Sequence, residues 1–425
     1  MRKKFNIKNI QLSNTNKIKD IFKWLYPGMG IKRWIGLSAF GLLLLVFASN
    51  HLRTEEYWIL LILDAIVVIS GIIILILGIK RMMRSFILTF IPSSKDGELV
   101  DIVYQRRHLA RGPKIVAVGG GTGLSVLLSG LKEYTSNITA IVTVADDGGS
   151  SGRLRQQFDI LPPGDIRNCL VALADAPTLM RELFQFRFDK NSDLAGHSFG
   201  NLFITVMTRL TGDFEKAIRE TSKVLALRGQ VIPSTLDNVV LVAGYKDGSS
   251  TEGEDKIPKV HIPIDKVYLR PAQPQATPEA IKAIEEAQII VLGPGSLYTS
   301  IIPNLLIKEI TDSILASEAI KVYVCNIMTQ YGETDNYSVS DHIKVLIGHS
   351  HPRIFNYCIV NTGYIPQDII KRYEQENACP VVNDADNITK MGYRVIGDDI
   401  VMSEGMVRHD SSKLARAILG FIEEI

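Results

Sequence analysis

Two long apolar runs dominate the first hundred residues. From Trp34 to Leu52, 19 residues pass without a Lys, Arg, Asp or Glu, and from Tyr57 to Ile79, 23 residues carry Asp64 as their one charge. About 20 such residues cross a bilayer, so the pattern predicts a transmembrane helical hairpin over residues 34–79. The late start, the lack of a small-residue cleavage site and the second run all argue against a cleaved signal peptide. From residue 114 the pattern changes to short β-branched runs alternating with amphipathic stretches. "KIVAV" is followed by a helical pattern over about 123–134, then "ITAIVTVA" leads up to Asp146. Helical patterns over about 166–176, 178–188, 199–211 and 213–228 come next, and "AQIIVL", "IKVYVCNI" and "FNYCIVNT" are the later strand-like runs. Continuous apolar strands between helices predict a parallel sheet covered on both faces. The expected fold class is therefore α/β: a Rossmann-like parallel-sheet domain with helical and β insertions, preceded by an N-terminal transmembrane helical hairpin. The Gly-, Ser- and Pro-punctuated runs of residues 231–270 read as an inserted β excursion.

Charge sets an orientation. Nine cations lie before the first apolar run (Arg2, Lys3, Lys4, Lys8, Lys17, Lys19, Lys23, Lys32 and Arg33), and Lys80, Arg81, Arg84, Arg106 and Arg107 follow the second. The intervening turn has Arg53 beside Glu55 and Glu56. The positive-inside rule then predicts a multi-pass protein of the cell membrane with both termini and the main domain cytoplasmic, its basic flanks favouring anionic inner-membrane lipid. Asp64 is either a partner contact within the bilayer or a charge tolerated near its edge. The domain boundaries follow: 1–33 a basic cytoplasmic segment, 34–79 the two membrane helices, 80–113 a basic tether, 114–425 a nucleotide-binding domain. A net charge of +2 gives no reason to expect nucleic acid as a partner. Four cysteines without a CxxC or a paired His spacing argue for a reducing compartment and against a structural zinc site.

The candidate chemistry lies in the loops that follow the strands. Gly119, Gly120, Gly121, Thr122 and Gly123 separate the first strand from its helix, which puts bare backbone N–H groups at a helix N-terminus, suited to phosphate oxygens. Neither common fingerprint fits: the third glycine of the dinucleotide motif is missing, and no Lys-Ser/Thr pair follows as in a Walker loop. The second strand ends in "ADDGGSSGRLR". Asp146, 25 residues after Gly121, is placed to bind a ribose hydroxyl, and the Asp146–Asp147 pair is equally suited to orient Mg²⁺ on a diphosphate or to accept a hydroxyl proton. Ser150 belongs to the same loop, and Arg153 and Arg155 are candidates to neutralise phosphate. In "PPGDIRNCLVALA", Gly164 and Asp165 precede a helix, with Asp165 as its expected N-cap and Asn168 exposed on the first turn. "GHSFGNLF" places His197, Ser198, Gly200 and Asn201 at another helix start, His197 reading more readily as a hydrogen-bonded structural residue than as a catalyst. Gly293, Gly295 and Ser296 form a second strand–glycine–helix turn. In an open α/β sheet such loops converge on one crevice.

Taken together, "VAVGGGTGLSVLLSGLK", "VTVADDGGSSGRLR", "PPGDIRNCLVALA", "GHSFGNLFI", "GPGSLYTSIIPNLL" and "RHD" resemble the YvcK family, the gluconeogenesis factors, which are related to the CofD 2-phospho-L-lactate transferases. The resemblance covers about residues 114–420. It implies a Rossmann-like core that binds a UDP-sugar such as UDP-GlcNAc, and a regulatory role linking carbon metabolism to cell-wall synthesis and cell shape. Cell-wall synthesis or regulatory proteins are then the expected partners, with homo-oligomerisation left open. Positions matching the family's binding motifs are Gly119 to Gly123, Asp146, Asp147, Asn201, Gly293 to Ser296, Tyr373 in "KRYEQENACPV" and Arg408 in "VRHDSS". Tyr373 would stack on a base or sugar face and Arg408 would pair with phosphate. Two departures stand out: Tyr331 occupies a position where related sequences tend to have proline, and Ser411 one where threonine is frequent.

Two function classes compete. One is a membrane-tethered UDP-sugar-binding regulator without turnover and without a resident cofactor. The alternative is an Mg-dependent CofD-type transferase of a phospholactyl-like group from a nucleotide-linked donor, with Asp146 and Asp147 as its catalytic residues. An NAD-dependent oxidoreductase is disfavoured by the missing third glycine.

Overall fold

The computed structural model describes residues 31–51, 57–90, 107–189, 191–402 and 406–422. The basic segment before residue 31, the turn at 52–56 and most of the tether, 91–106, lie outside the described residues. The chain divides into two compact units, Met1–Tyr104 and Gln105–Ile425.

In the first unit, α1 (Ile31–His51) and α2 (Trp58–Phe90) pack antiparallel. Glycines allow the close approach: a Cβ on Gly41 would meet the backbone of Gly71 at 2.9 Å and that of Leu75 at 2.8 Å. Arg81 lies over the Trp34 ring at 4.8 Å, and His51 Nδ1 meets Asp64 Oδ2 at 3.0 Å. Asp64 is thus buried, with its carboxylate in contact with His51 of α1. Segments of 19 and 27 residues, Arg33–His51 and Trp58–Arg84, are long and apolar enough to cross a membrane. Helix α2 runs through residue 90, so the first part of the expected tether is helical instead.

The second unit is built on a seven-stranded parallel sheet of order β10-β9-β8-β7-β1-β2-β3. Its strands are β1 (Ile115–Gly119), β2 (Ile138–Val142), β3 (Gln230–Pro233), β7 (Ile289–Leu292), β8 (Ile320–Val324), β9 (Tyr357–Asn361) and β10 (Arg394–Asp398). Every residue of β1, β2 and β7 is buried, as expected where helices cover both faces. A separate antiparallel sheet, β5-β4-β6, consists of β4 (Val240–Tyr245), β5 (Ser250–Glu252) and β6 (Ile264–Arg270). The β excursion therefore begins at residue 240, because Gln230–Pro233 pairs with β2 and extends the main sheet. A two-residue ladder joins β11 (Val401–Met402) and β12 (Arg408–His409).

The helices of this unit are α3 (Gly121–Leu131), α4 (Gly149–Phe158), α5 (Gly164–Leu173), α6 (Thr178–Gln185), α7 (Phe199–Thr211), α8 (Phe214–Val224), α9 (Pro278–Glu285), α10 (Ile302–Leu305), α11 (Lys308–Ala316), α12 (Val339–Gly348), α13 (Gln367–Gln375), α14 (Ala385–Lys390) and α15 (Ser411–Leu419). A π-helical turn, Leu297–Ile301, leads into α10. Residues 107–113, expected in the tether, belong to the body: Leu109 is buried, and Asn137 Nδ2 donates to the carbonyls of Ala110 and Gly112. None of the four cysteines is in a disulfide.

From β1 the chain steps outward to β2 and β3, then returns to the other side of β1 and continues through β7 to β10. The direction of strand order reverses between β1 and β7. In open parallel sheets that reversal opens a crevice at the carboxyl ends of the two strands.

Candidate functional site

Both glycine loops stand at this reversal. The loop after β1 enters α3 through Gly121 at φ +64°, and the loop after β7 turns through Gly293 at φ +81°, conformations that glycine adopts without a Cβ penalty. The loops touch. A Cβ on Gly123 would lie 2.6 Å from the Pro294 carbonyl oxygen, and Asn304 Nδ2 donates to the Gly119 carbonyl at 3.1 Å from below. Asn326, following β8, locks the second loop: its Nδ2 donates to Gly295 O at 2.8 Å and its Oδ1 accepts from Gly295 N at 3.3 Å.

A cavity of 300 Å³ opens over the junction, lined by Thr122, Gly123, Gly295, Ser296, Asn326 and Arg408 among others. Arg408 is exposed on β12, so a cation faces the same space as the loop N–H groups. Gly119, Gly120, Gly121 and Gly293 belong to the same two loops but do not line it. Neighbouring His409 donates from Nε2 to Cys325 O, 3.2 Å away, and burial holds its pKa down at about 4, so it is neutral at physiological pH. Tyr373 does not line this cavity. It packs on Ile327, Ile365, Ile369, Val401 and Val407, and its hydroxyl accepts from Val407 N at 3.0 Å, which pins the segment carrying Arg408.

On the β2 side the site turns acidic. Strand β2 ends at Val142, and the following loop carries Asp146, whose Oδ1 accepts from Gly148 N at 2.9 Å. Asp165 is not the N-cap expected from sequence. Helix α5 starts at Gly164, two residues earlier than a cap at 165 requires, which leaves Asp165 in the first turn with its carboxylate accepting from the Gly121 N–H. A Cβ on Gly120 would lie 2.5 Å from Asp165 Oδ2, so the glycine admits the carboxylate. Burial, and then the Asp146 charge, pushes Asp165 up to about 7. Asp146 is raised as well, chiefly by burial.

Asp147 turns away from its neighbour. Its Oδ1 accepts from Asp255 N at 2.9 Å, which ties down the loop after β5. That loop delivers Glu254, whose pKa burial and the charges of Asp146, Asp165, Glu333 and Asp147 push up to about 8. Glu333 is buried, accepts from Thr299 Oγ1 at 3.1 Å, and is pushed up to about 7 by burial. Sequence reasoning missed both glutamates. Glu333 sits in the "TQYGET" stretch, the one signal that pointed near it.

Arg167, also missed, organises the floor. Its Nη1 donates to Ser198 Oγ at 2.5 Å and to Asn201 Oδ1 at 3.1 Å, and its Nη2 donates to Asn168 Oδ1 at 2.6 Å. Asn201 Nδ2 donates to Ser150 Oγ at 3.1 Å, and Ser150 Oγ lies 2.9 Å from His197 Nδ1. Ser150, Asn168 and Asn201 are therefore knit together beneath the acids, and His197 is a hydrogen-bonded structural residue. Arg153 and Arg155 are engaged within the protein: Arg153 Nη2 donates to Ala195 O at 2.7 Å, and Arg155 Nη2 to Val239 O at 2.6 Å and to Asn238 Oδ1. Among the described residues no three His, Cys, Asp or Glu side chains converge as a ready-made metal cage.

The raised acids make stability pH-dependent. Asp165 keeps its proton up to about pH 7 when folded, against a value of 3.8 when unfolded. Between those values the folded form binds more protons, so its contribution favours folding at the acidic end and is lost as pH rises toward 7. Glu254 and Glu333 act in the same direction. Asp165→Asn is expected to flatten the fall in melting temperature between pH 5 and pH 8. An unchanged slope would remove Asp165 from this account.

The comparisons with known proteins agree with the geometry. The family profile of the 2-phospho-L-lactate transferase CofD matches residues 115–401. A gluconeogenesis factor of Bacillus subtilis is 50% identical over 313 residues, 73% of this chain and 99% of that protein. A Nostoc sp. relative is 46% identical over 426 residues, covering 95% of this chain and 93% of its own length, which takes the match well into the N-terminal unit. The crystal structure of a UPF0052 family member from Bacillus halodurans superposes with a TM-score of 0.70 at 46% identity, over 72% of this chain and 99% of that one. With the glycine loops, the Asp146 loop after β2 and the family's matched span all in one body, the chain belongs to the CofD family, in the branch of the gluconeogenesis factors.

Proposed function

We propose that the protein binds a nucleotide sugar, UDP-GlcNAc first among candidates, at the β1–β7 crevice. On this reading it is a membrane-tethered regulator that links carbon metabolism to cell-wall synthesis and cell shape. The observation that carries the reading is the convergence of two glycine loops and Arg408 on one cavity: backbone N–H donors and a guanidinium suit a diphosphate. The acids on the β2 side, protonated or hydrogen-bonded near neutral pH, suit the hydroxyls of a sugar. The hairpin of α1 and α2 would supply the tether, and the flanking cations favour a cytoplasmic position for both termini and the body, beside anionic inner-membrane lipid. Partners in cell-wall synthesis or its regulation would then meet the body at the membrane face.

Calorimetric titration of the full chain in detergent with UDP-GlcNAc, GDP and NAD is expected to give micromolar binding for the uridine nucleotide. No heat from any uridine nucleotide would sink the reading. Deleting residues 1–104 is expected to move the protein from the membrane to the soluble fraction, and continued membrane retention would end the tether.

One observation favours a second reading, a transferase of a nucleotide-linked phospho group. Asp165 and Glu254 hold protons near neutral pH beside the glycine loops, the capacity that general acid–base work requires. Incubation with Mg²⁺ and a nucleotide-linked donor, read by mass spectrometry, tests it. Turnover lost in Asp146→Asn with binding intact supports this reading, and full activity in that variant removes the role of Asp146.

A further inference from the structure

One stretch of the body leaves its apolar residues in water. Leu179 and Leu183 on α6, Phe186 and Leu194 in the connection, and Val206 and Leu210 on α7 are all exposed, Leu179 and Leu210 to 76%. Helices α9, α11, α12, α13 and α15 expose no large apolar side chain among the described residues. The two helices belong together: Phe184 of α6 packs on Phe199 and Phe203 of α7, with ring centroids 5.9 and 5.0 Å apart. Leu179 and Leu183, like Val206 and Leu210, lie one turn apart, so each helix carries an apolar stripe outside its buried one. Clustered apolar surface of this kind marks a contact with another surface. Cations accompany it. Arg181 Nη2 donates to Thr178 Oγ1 at 3.3 Å, Arg187 Nη1 to Gly196 O at 3.3 Å, and Arg209 stands over the Phe158 ring at 5.6 Å. Among the described residues none of the three is ion-paired, whereas Arg219, Lys223 and Arg228, further along the same helical block, each meet a carboxylate. Glu182 is the one carboxylate on the two helices.

We propose that the outer side of the α6–α7 pair docks on an anionic lipid surface. The inference rests on the tether reading above, which keeps the body beside a bilayer. The leucines and Phe186 enter the boundary between headgroups and acyl chains while the guanidiniums meet lipid phosphate, as in an interfacial amphipathic helix. A second copy of the chain fits this face less well. A two-fold pairing would set three unpaired guanidiniums against an identical three, with Glu182 as the one acid on either helix pair. A shallow contact of this kind is reversible by itself. The body therefore docks only while the hairpin holds it at high local concentration near lipid, and loss of residues 1–104 still releases it.

The test uses the full chain in lipid nanodiscs, with an environment-sensitive fluorophore on Leu210→Cys and spin-labelled lipid as quencher. Cys379, the one cysteine that is not buried, is replaced by Ser. On discs containing anionic lipid the dye is expected to shift to shorter wavelength and to be quenched. Both effects are expected to be lost on zwitterionic discs and at high salt. The same dye on Lys308→Cys, at an exposed position of α11, is expected to stay in water on both discs. Reversing the cations together (Arg181→Glu, Arg187→Glu, Arg209→Glu), or charging the stripe with Leu179→Asp, is expected to abolish the shift at an unchanged melting temperature, since the substituted side chains lie at the surface. A dye at residue 210 that stays in water on anionic discs, in a chain that has inserted, overturns the docking and leaves the tether standing. Equal quenching at both dye positions, or on both lipids, overturns it also. A shift that appears in detergent and grows with protein concentration assigns the face to a second copy instead. A chain that does not enter the discs removes the tether reading and this one with it.

Discussion

Gly123→Ala is expected to abolish nucleotide binding, with a loss of about 100-fold or more, the scale on which displacing binding groups by about an ångström acts. The new Cβ would lie 2.6 Å from Pro294 O, 2.8 Å from Pro294 C and 3.0 Å from Gly295 N. All three are backbone atoms, so no side chain can swing aside. The loop after β7 must move away from α3, and the N–H groups of the two loops then no longer converge. Stability should fall by about 1–3 kcal/mol, the usual cost of overpacking a close contact. Calorimetry and a denaturant titration check the two parts separately. A variant that binds with wild-type affinity would mean that the loops act independently, which the shared cavity argues against.

Arg167→Ala carries the second large effect, on stability. The guanidinium is buried, holds Ser198, Asn201 and Asn168, and its positive charge offsets Asp165 and Asp146. Removing one partner of a buried charged network costs about 3–5 kcal/mol, because the groups left behind keep their desolvation without compensation. Chemical denaturation should show a loss of that order, with Asp165 and Asp146 pushed further up. Arg167→Lys should recover little of it, since an ammonium cannot reproduce a fork bonded at both terminal nitrogens. A loss below about 1 kcal/mol would show the network to be dispensable and more hydrated than its geometry implies.

The legible and illegible parts of the site separate by distance along the chain. The loops at Gly119–Gly123 and Gly293–Ser296 could be read because each signal is local: an apolar strand, then glycines, then a helical pattern. Arg408 and Tyr373 emerged only through family resemblance, since a single Arg or Tyr in a polar stretch has no distinctive local pattern. Glu254 was invisible for a different reason. It lies 108 residues beyond Asp146 in an exposed-looking "STEGED" turn, and becomes part of the acid group only because Asp147 tethers the β5 loop through Asp255 N. Asp165 shows the limit at short range: its type and place near a helix start were legible, yet a two-residue shift of that start turned it from a cap into the acceptor of Gly121 N–H.

By itself the sequence determined the α/β class, the two apolar spans and the pair of glycine turns, since each follows from hydropathy period and backbone preference within about 20 residues. Tertiary structure decided which loops share a cavity, which arginines face ligand space and which face the backbone, and which acids hold protons. Those properties depend on strand order and burial. Placing β7 beside β1 joins loops about 170 residues apart, and desolvation sets the protonation of Asp165, Glu254 and Glu333, a quantity that exists only once the chain has closed around them.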